Sequence, residues 1–209
     1  PRIHRDPLDV TSPTRIDRSD TNASSMLVKS WDIQANYNFD LDAIGFGSWG
    51  DFRASLNATY ADTYTWQEGP TKPVREAKGQ QNNSFGAVPI IPEWRANASL
   101  GWSLGNHSVS ATVRYIDEVI IDANEFSFQQ YLRPQNLWTT TDVIRPWTQT
   151  DMFYTYSDLE VSGGNATLSL GARNLFDREA QKTGMIAGVV SQLQSPLGRM
   201  IYARVNYEF

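Results

Sequence analysis

Strict alternation of apolar and polar residues, sustained through segment after segment, constrains this chain more than any other feature. Trp31, Ile33, Ala35, Tyr37, Phe39 and Leu41 are interleaved with Asp32, Gln34, Asn36, Asn38 and Asp40. Successive side chains of an extended strand point to opposite faces, so this period of two writes one apolar face and one wet face. The pattern returns over 52–60, 94–104, 109–115, 166–172 and 201–209. Across these six segments all 30 positions on one face are Ala, Val, Ile, Leu, Phe, Trp or Tyr, and of the 24 on the other only Tyr202 is. A seventh, weaker segment sets Met152, Tyr154 and Tyr156 against Asp151, Phe153 and Thr155. None shows the three- and four-residue spacing of an amphipathic helix, so the expected fold is all-β.

Alternation alone suits a soluble β-sandwich as well as an antiparallel transmembrane β-barrel. Three further features favour the barrel. Phe52 and Tyr60 stand eight residues apart on one face, as do Trp94 and Trp102. Eight residues of a tilted strand climb ~20 Å, close to the ~25 Å apolar band between the aromatic girdles of an outer-membrane barrel. The connections alternate in length: 42–51, 105–108 and 157–165 are short, whereas 67–93, 116–151 and 175–199 are long and polar. Barrels show this asymmetry between periplasmic turns and extracellular loops. Finally, Ile201, Ala203, Val205, Tyr207 and Phe209 alternate to a terminal Phe, which resembles the assembly signal on the last strand of bacterial outer-membrane proteins. Membrane insertion explains all three features, and a sandwich explains only the alternation.

Composition removes other classes. The 209 residues carry a net charge of -5 with no clustered Lys or Arg, which argues against a nucleic-acid partner. There is no Cys, and the two His, His4 and His107, are far apart, so no thiolate or imidazole metal site and no cofactor is expected. No apolar run approaches the ~20 residues of a membrane helix. Gly45 to Gly50 matches G-x-G-x-x-G, but the following 52–60 alternates at period two where a dinucleotide site needs a helix. Asn57-Ala58-Thr59 and Asn97-Ala98-Ser99 fall mid-strand on the polar face, and are read as wall residues instead of glycosylation sites. The carboxylate pairs Asp117/Glu118 and Asp158/Glu160 lie beside turns and not across a cleft. No enzymatic constellation stands out, so the chain is expected not to be an enzyme.

Seven strands are the wrong number for a closed single-chain bacterial barrel, whose count is even. Residues 1–26 carry charge on both faces together with Pro7 and Pro13, and are read as an extracellular loop, with strands from about 27 to 209. The chain also starts without an export signal. The expectation is the C-terminal piece of a larger barrel or a processed product of one.

Gly171-Ala172-Arg173-Asn174-Leu175-Phe176-Asp177-Arg178-Glu179, followed by Pro196-Leu197-Gly198-Arg199-Met200 and the last strand, resembles the end of TonB-dependent outer-membrane receptors. Arg2 to Pro7 and Trp31 to Phe39 look like the preceding loop and strand of the same family. The resemblance covers nearly the whole chain. It implies the last seven strands of a larger, roughly 22-stranded plugged barrel in the bacterial outer membrane. It also implies import of a scarce nutrient, such as a ferric siderophore, cobalamin or an oligosaccharide. The implied partners are outer-membrane lipid, the remaining barrel and its plug, TonB acting through an N-terminal region, the outer-membrane assembly machinery, and a small-molecule or glycan ligand. The TonB box, plug domain and earlier barrel strands are not among these 209 residues. A passive porin and a soluble carbohydrate-binding sandwich are the alternatives.

Binding residues concentrate on loops held by a rigid scaffold, which directs attention to 67–93, 122–149 and 178–198. Trp66, Tyr131, Trp138 and Trp147 could stack on a ligand; equally, Trp66 could belong to the outer girdle and the others could pack the loops. Arg53, Arg95, Arg114, Arg173 and Arg204 fall on the wet face of five strands, where they could line a path, touch a plug, or simply be tolerated by a wet lumen.

Overall fold

The alternating segments pair as their pattern demands. The structure, a computed structural model, describes residues 2–7, 9–17, 25–42, 47–70, 72–82, 88–121, 143–183 and 188–209. Seven long strands form one antiparallel sheet: β3 (Ser25–Asp40), β4 (Asp51–Gln67), β6 (Trp94–Leu104), β7 (His107–Ile116), β10 (Trp147–Val161), β11 (Gly164–Arg173) and β12 (Met200–Glu208). Their spatial order is β12-β11-β10-β7-β6-β4-β3, so each strand lies beside its sequence neighbour in the wall. Short β5 (Arg75–Glu76) pairs with the far end of β4, and β8 (Val119–Ile120) pairs with β9 (Val143–Ile144). β3 and β12 are the two edges.

Register keeps the two faces unmixed from edge to edge. Tyr37, Ala54, Leu100, Ala111, Met152, Ala172 and Ile201 are successive partners across all seven strands. The adjacent row on the other face runs Asn38, Arg53, Gly101, Ser110, Phe153, Gly171 and Tyr202. A slip of one residue would put every apolar side chain of a strand on the wet face, which is why the pattern sets the register so strongly. Tyr202, the one apolar residue on the wet face of the six clear segments, has a cause: its ring lies over Gly171, where a Cβ would collide with it, and 5.8 Å from the Phe153 ring.

Aromatic rows bound the apolar face. Trp31, Tyr60 and Trp94 are partners at one level, with the Tyr60 and Trp94 rings 4.7 Å apart. Eight residues along the strands, Phe39, Phe52 and Trp102 are partners, with the two Phe rings 5.1 Å apart. The Trp102 indole donates to the Trp49 carbonyl at 2.6 Å, fastening the neighbouring turn. Between these levels the face is not covered by protein even on the inner strands: Leu56, Leu100, Val113 and Leu170 are 38–55% exposed. An apolar surface this continuous is what a lipid-facing wall presents.

All three short connections lie at one end of the sheet. Gly105-Asn106 joins β6 to β7, and Ser162 and Gly163, with φ of 39° and 94°, join β10 to β11 as a two-residue turn of the hairpin-favoured type. The third holds the glycine-rich run. Gly50 has φ of 91°, and a Cβ there would strike the Ser103 carbonyl, so this glycine serves a turn against β6 and strand β4 follows it directly.

The long connections lie at the other end, and there the buried apolar clusters are found. Val119, Ile121, Ile144, Val190 and Leu193 form one cluster; Tyr64, Ala77 and Val88 form another. A sandwich would bury its core between two sheets. This sheet stands as a single wall with its packed apolar clusters in a cap above one end, which removes the soluble-sandwich alternative.

Two expectations need correction. Residues 1–26 are not all loop: β1 (Arg2–Asp6) and β2 (Asp9–Asp17) form a hairpin separate from the wall, with Ile3 opposite Ile16 and His4 opposite Arg15. Charge on both faces suits a ribbon wet on both sides, and register shifts around Arg5 and Pro13 absorb the missing proline N–H. The seventh strand, β10 (Trp147–Val161), is also much longer than 151–156. Thr148 and Thr150 on its outer face blur the alternation, and a register shift between Tyr156 and Leu159, with Asp158 at φ of 56°, breaks the period.

The two faces make opposite demands on a charge. Leu56→Arg, midway between the aromatic rows, should cost about 2–4 kcal/mol of folding free energy in a bilayer, and its neighbour Asn57→Arg less than about 1 kcal/mol. Urea unfolding in lipid vesicles, followed by heat-modifiable gel mobility, measures both; equal losses would contradict the assignment of faces.

Candidate functional site

The wet face carries its charge in an ordered way. Arg53 Nε donates to Asn38 Oδ1 at 3.1 Å near the short-turn end, and Arg204 lies on the same face further along the sheet. Arg95 Nη2 reaches the Ile90 carbonyl at 3.5 Å below the cap. Arg114 and Arg173 flank Asp151, a carboxylate only 1% exposed. Arg114 Nη2 lies 2.8 Å from Asp151 Oδ2. Oδ1 accepts from Gln149 Nε2 and from the backbone N–H of Asn174, each at 2.9 Å. Oδ2 makes no hydrogen bond, so the guanidinium charge of Arg114 is what offsets its burial.

Through Asn174 this carboxylate secures the connection 174–199. Asn174 takes the left-handed conformation, φ of 50°, which Asn adopts more readily than most residues. Its side chain then clasps both ends of the connection: Nδ2 donates to the carbonyls of Arg178 at 2.9 Å and Leu197 at 3.3 Å, and Oδ1 accepts from Arg178 N–H at 2.8 Å. Asp177 Oδ1 accepts from Arg199 N–H at 2.7 Å, closing the base a second time. Further out, Gln194 Oε1 accepts from Gln181 N–H at 2.6 Å, while Gln181 Nε2 donates to the Val143 carbonyl at 2.9 Å and Gln194 Nε2 to the Arg145 carbonyl at 2.8 Å. Two buried amides therefore tie this connection to the one before β10.

All three long connections join in one cap. Ile90 from the first, Val119, Ile121 and Ile144 from the second, and Val190 and Leu193 from the third pack together with Ile116 at the end of β7. Burial of such side chains contributes roughly 1.5–3 kcal/mol each outside the membrane. Gly79 N–H donates to Ile91 O at 2.7 Å, and Ile120 N–H to Gly79 O at 2.8 Å, stitching the first two connections. Asn82, at φ of 59° and buried, donates to the carbonyls of Ala77, Gln80 and Pro89. Lys78 pairs with Glu93 at 3.3 Å; desolvation works against its charge, but the hydrogen bond and charge of Glu93 outweigh it and raise the ammonium above its ordinary range.

The aromatic ligand candidates fall differently from expectation. Between Lys29 and Ser30 the ladder slips, because Lys29 pairs with Thr63 and Ser30 with Ala61, leaving Asp62 as an extra residue in β4. That bulge reverses the parity of β4, so Tyr64 and Trp66 turn inward although Tyr60 faces out. Trp66 thus packs against the Tyr64, Ala77 and Val88 cluster and does not join the outer girdle. Trp147 is 4% exposed, with the Arg178 guanidinium 5.9 Å from its ring centre, and so packs the cap without offering a face to a ligand. Tyr131 and Trp138 lie outside the described residues. Asp117 and Glu118 end β7, where Asp117 Oδ1 accepts from the Tyr115 hydroxyl at 2.8 Å. Ile201, Ala203, Val205 and Tyr207 line the outer face of edge strand β12, and the Tyr207 hydroxyl donates to the Val161 carbonyl at 3.1 Å.

A family described as TonB dependent receptor-like, beta-barrel, matches residues 2–175, from the β1 hairpin through β11. The chain belongs to that family. No curated protein and no solved structure matches it. The wall is accordingly an outer-membrane element of a bacterial TonB-dependent transporter. The five arginines singled out in the sequence lie on the polar face of the sheet, but sequence reasoning missed Asp151, Gln149, Asn174, Asn82, Gln181 and Gln194 as the groups that organise the cap. The usable signal was Asn174-x-x-Asp177 directly after a strand, two residue types that tolerate left-handed backbone.

Asp151→Ala should leave the wall assembled while loosening 174–199, at a cost of about 2–3 kcal/mol for the lost charged hydrogen bonds. Hydrogen exchange across that connection should speed up markedly in the variant. Unchanged protection would remove Asp151 as its anchor.

Proposed function

We propose that this chain forms the last seven strands of a roughly 22-stranded barrel that imports a scarce nutrient, a ferric siderophore, cobalamin or an oligosaccharide, with energy relayed by TonB. The observation that supports this reading best is the continuity of the arginine-bearing lumen face with a cap folded from three connections. A cap built on shared apolar packing can present a shaped recognition surface, as import of a dilute solute requires.

Topology supports a larger barrel on independent grounds. The sheet is antiparallel with seven long strands, so both edges, β3 and β12, run in the same direction. Unpaired edges are not stable in lipid, and an even, fully antiparallel barrel closes only if an odd number of further strands is inserted between them. A barrel of about 22 strands meets that condition. Its further partners are then a plug within the lumen, TonB on the periplasmic side, and assembly machinery reading Ile201 to Phe209. With Trp66 and Trp147 committed to packing, Tyr131 and Trp138 are left as the aromatic side chains for ligand stacking.

Uptake of labelled ferric siderophores, cobalamin and oligosaccharides by cells carrying the complete receptor gene tests the reading. Accumulation of one solute class should require the receptor and fall to background when TonB is deleted. Uptake that persists without TonB, together with steady conductance in planar bilayers, would instead establish a passive porin.

A further inference from the structure

The lumen wall holds a cavity of about 180 Å³ beneath the base of the 174–199 connection. Arg114, Gln149, Arg173, Asn174 and Ser195 contribute to its lining. Asp151 is the buried carboxylate behind this lining: its Oδ1 accepts from Gln149 and Asn174, and the Arg114 guanidinium stands 2.8 Å from its Oδ2. Arg173 makes no hydrogen bond or ion pair with any of the described residues. Two guanidinium groups therefore stand beside one buried carboxylate, and Arg173, exposed on the wet face, keeps its donors available.

We propose that Arg173 and Ser195 form a carboxylate-binding pocket in the lumen wall, beside Arg114, which Asp151 holds in place. A guanidinium presents two parallel donors that match the two oxygens of a carboxylate. The Ser195 oxygen accepts from Leu197 N–H at 3.3 Å, which leaves its hydroxyl hydrogen to donate. A volume equivalent to roughly six liquid waters admits a carboxylate-bearing arm and not a whole chelate or sugar chain. The roof is preorganised, since Asn174 and Leu197 above the pocket are clasped by the same network that holds Asp151.

This pocket rests on the reading of the wet face as a lumen. The carboxylate has two sources: a solute passing through the barrel, or an acidic side chain of the receptor's own lumen-filling domain. The test uses the complete receptor in detergent, with succinate as probe and succinamide as its neutral counterpart. Arg173→Gln is the removing variant, Arg173→Lys the conservative one, and Arg53→Gln, at the far end of the lumen, the control. Heat-modifiable mobility confirms folding of each.

Calorimetric binding of succinate but not succinamide, weakened at least tenfold in Arg173→Gln, partly kept in Arg173→Lys and unchanged in Arg53→Gln, assigns the pocket to a solute. Absence of succinate binding, with hydrogen exchange in the lumen-filling domain accelerated by Arg173→Gln and not by Arg53→Gln, assigns it to an internal carboxylate. If Arg173→Gln alters neither measurement, the pocket is overturned. TonB-dependent uptake is scored separately, so a receptor that binds succinate through Arg173 yet transports without TonB would refute the transport reading and leave the pocket standing.

Discussion

A strand that crosses lipid must have each backbone N–H and C=O paired, because the hydrocarbon offers no partner for either. The long ladders from β3 to β12 answer that requirement, and much else follows from it. Strands are tied to their sequence neighbours because a short turn leaves no backbone group stranded in the bilayer. The turns gather at one end, and the long connections are displaced to the other, where water and protein can satisfy their polar groups. Glycine at position 50 and the Ser162-Gly163 pair belong to the same constraint, since they let the chain reverse within a few residues.

The two halves of the molecule are held by different physics. The wall's outer face needs only apolar surface at every second position, so Ala, Leu, Val, Tyr and Trp interchange along it without altering the pairing. The cap depends on particular partners. Asp151 meets Arg114, Gln149 and Asn174, and Gln181 meets Gln194, Arg145 and Val143, in bonds that another side chain could not supply at the same places. The Asp151 network spans the boundary, one end on a wall strand and the other at the base of a connection.

Seven strands, their faces, their order and the alternation of short and long connections were legible in the sequence, because each is a consequence of period two or of composition between periodic runs. Three local features were not. The Asp62 bulge inverts the parity of β4, and nothing in Ala61-Asp62-Thr63 distinguishes a bulge from an uninterrupted strand, so Trp66 could be read as an outer-girdle residue. The hairpin over 2–17 has charge on both faces and thus lacks the one-sided pattern that identifies a strand. The length of β10 was hidden by threonines on its outer face, where the ladder tolerates them without any apolar signal.

By itself the sequence determined a wall: which side chains lie on its apolar face, which on its polar face, how many long strands it has and where the chain turns between them. That information is local, since the pleat assigns each residue a face relative to its neighbour. Tertiary structure alone decided which polar residues are buried. Asp151 and Asp40 are both wet-face carboxylates on long strands, yet the first is enclosed and the second exposed. The difference lies in what lands above them: a connection that arrives from 23 residues further along the chain supplies the Asn174 N–H that encloses Asp151. Burial of a polar group is a property of that arrival, so the cap and the cavity beside Arg173 became visible only in three dimensions.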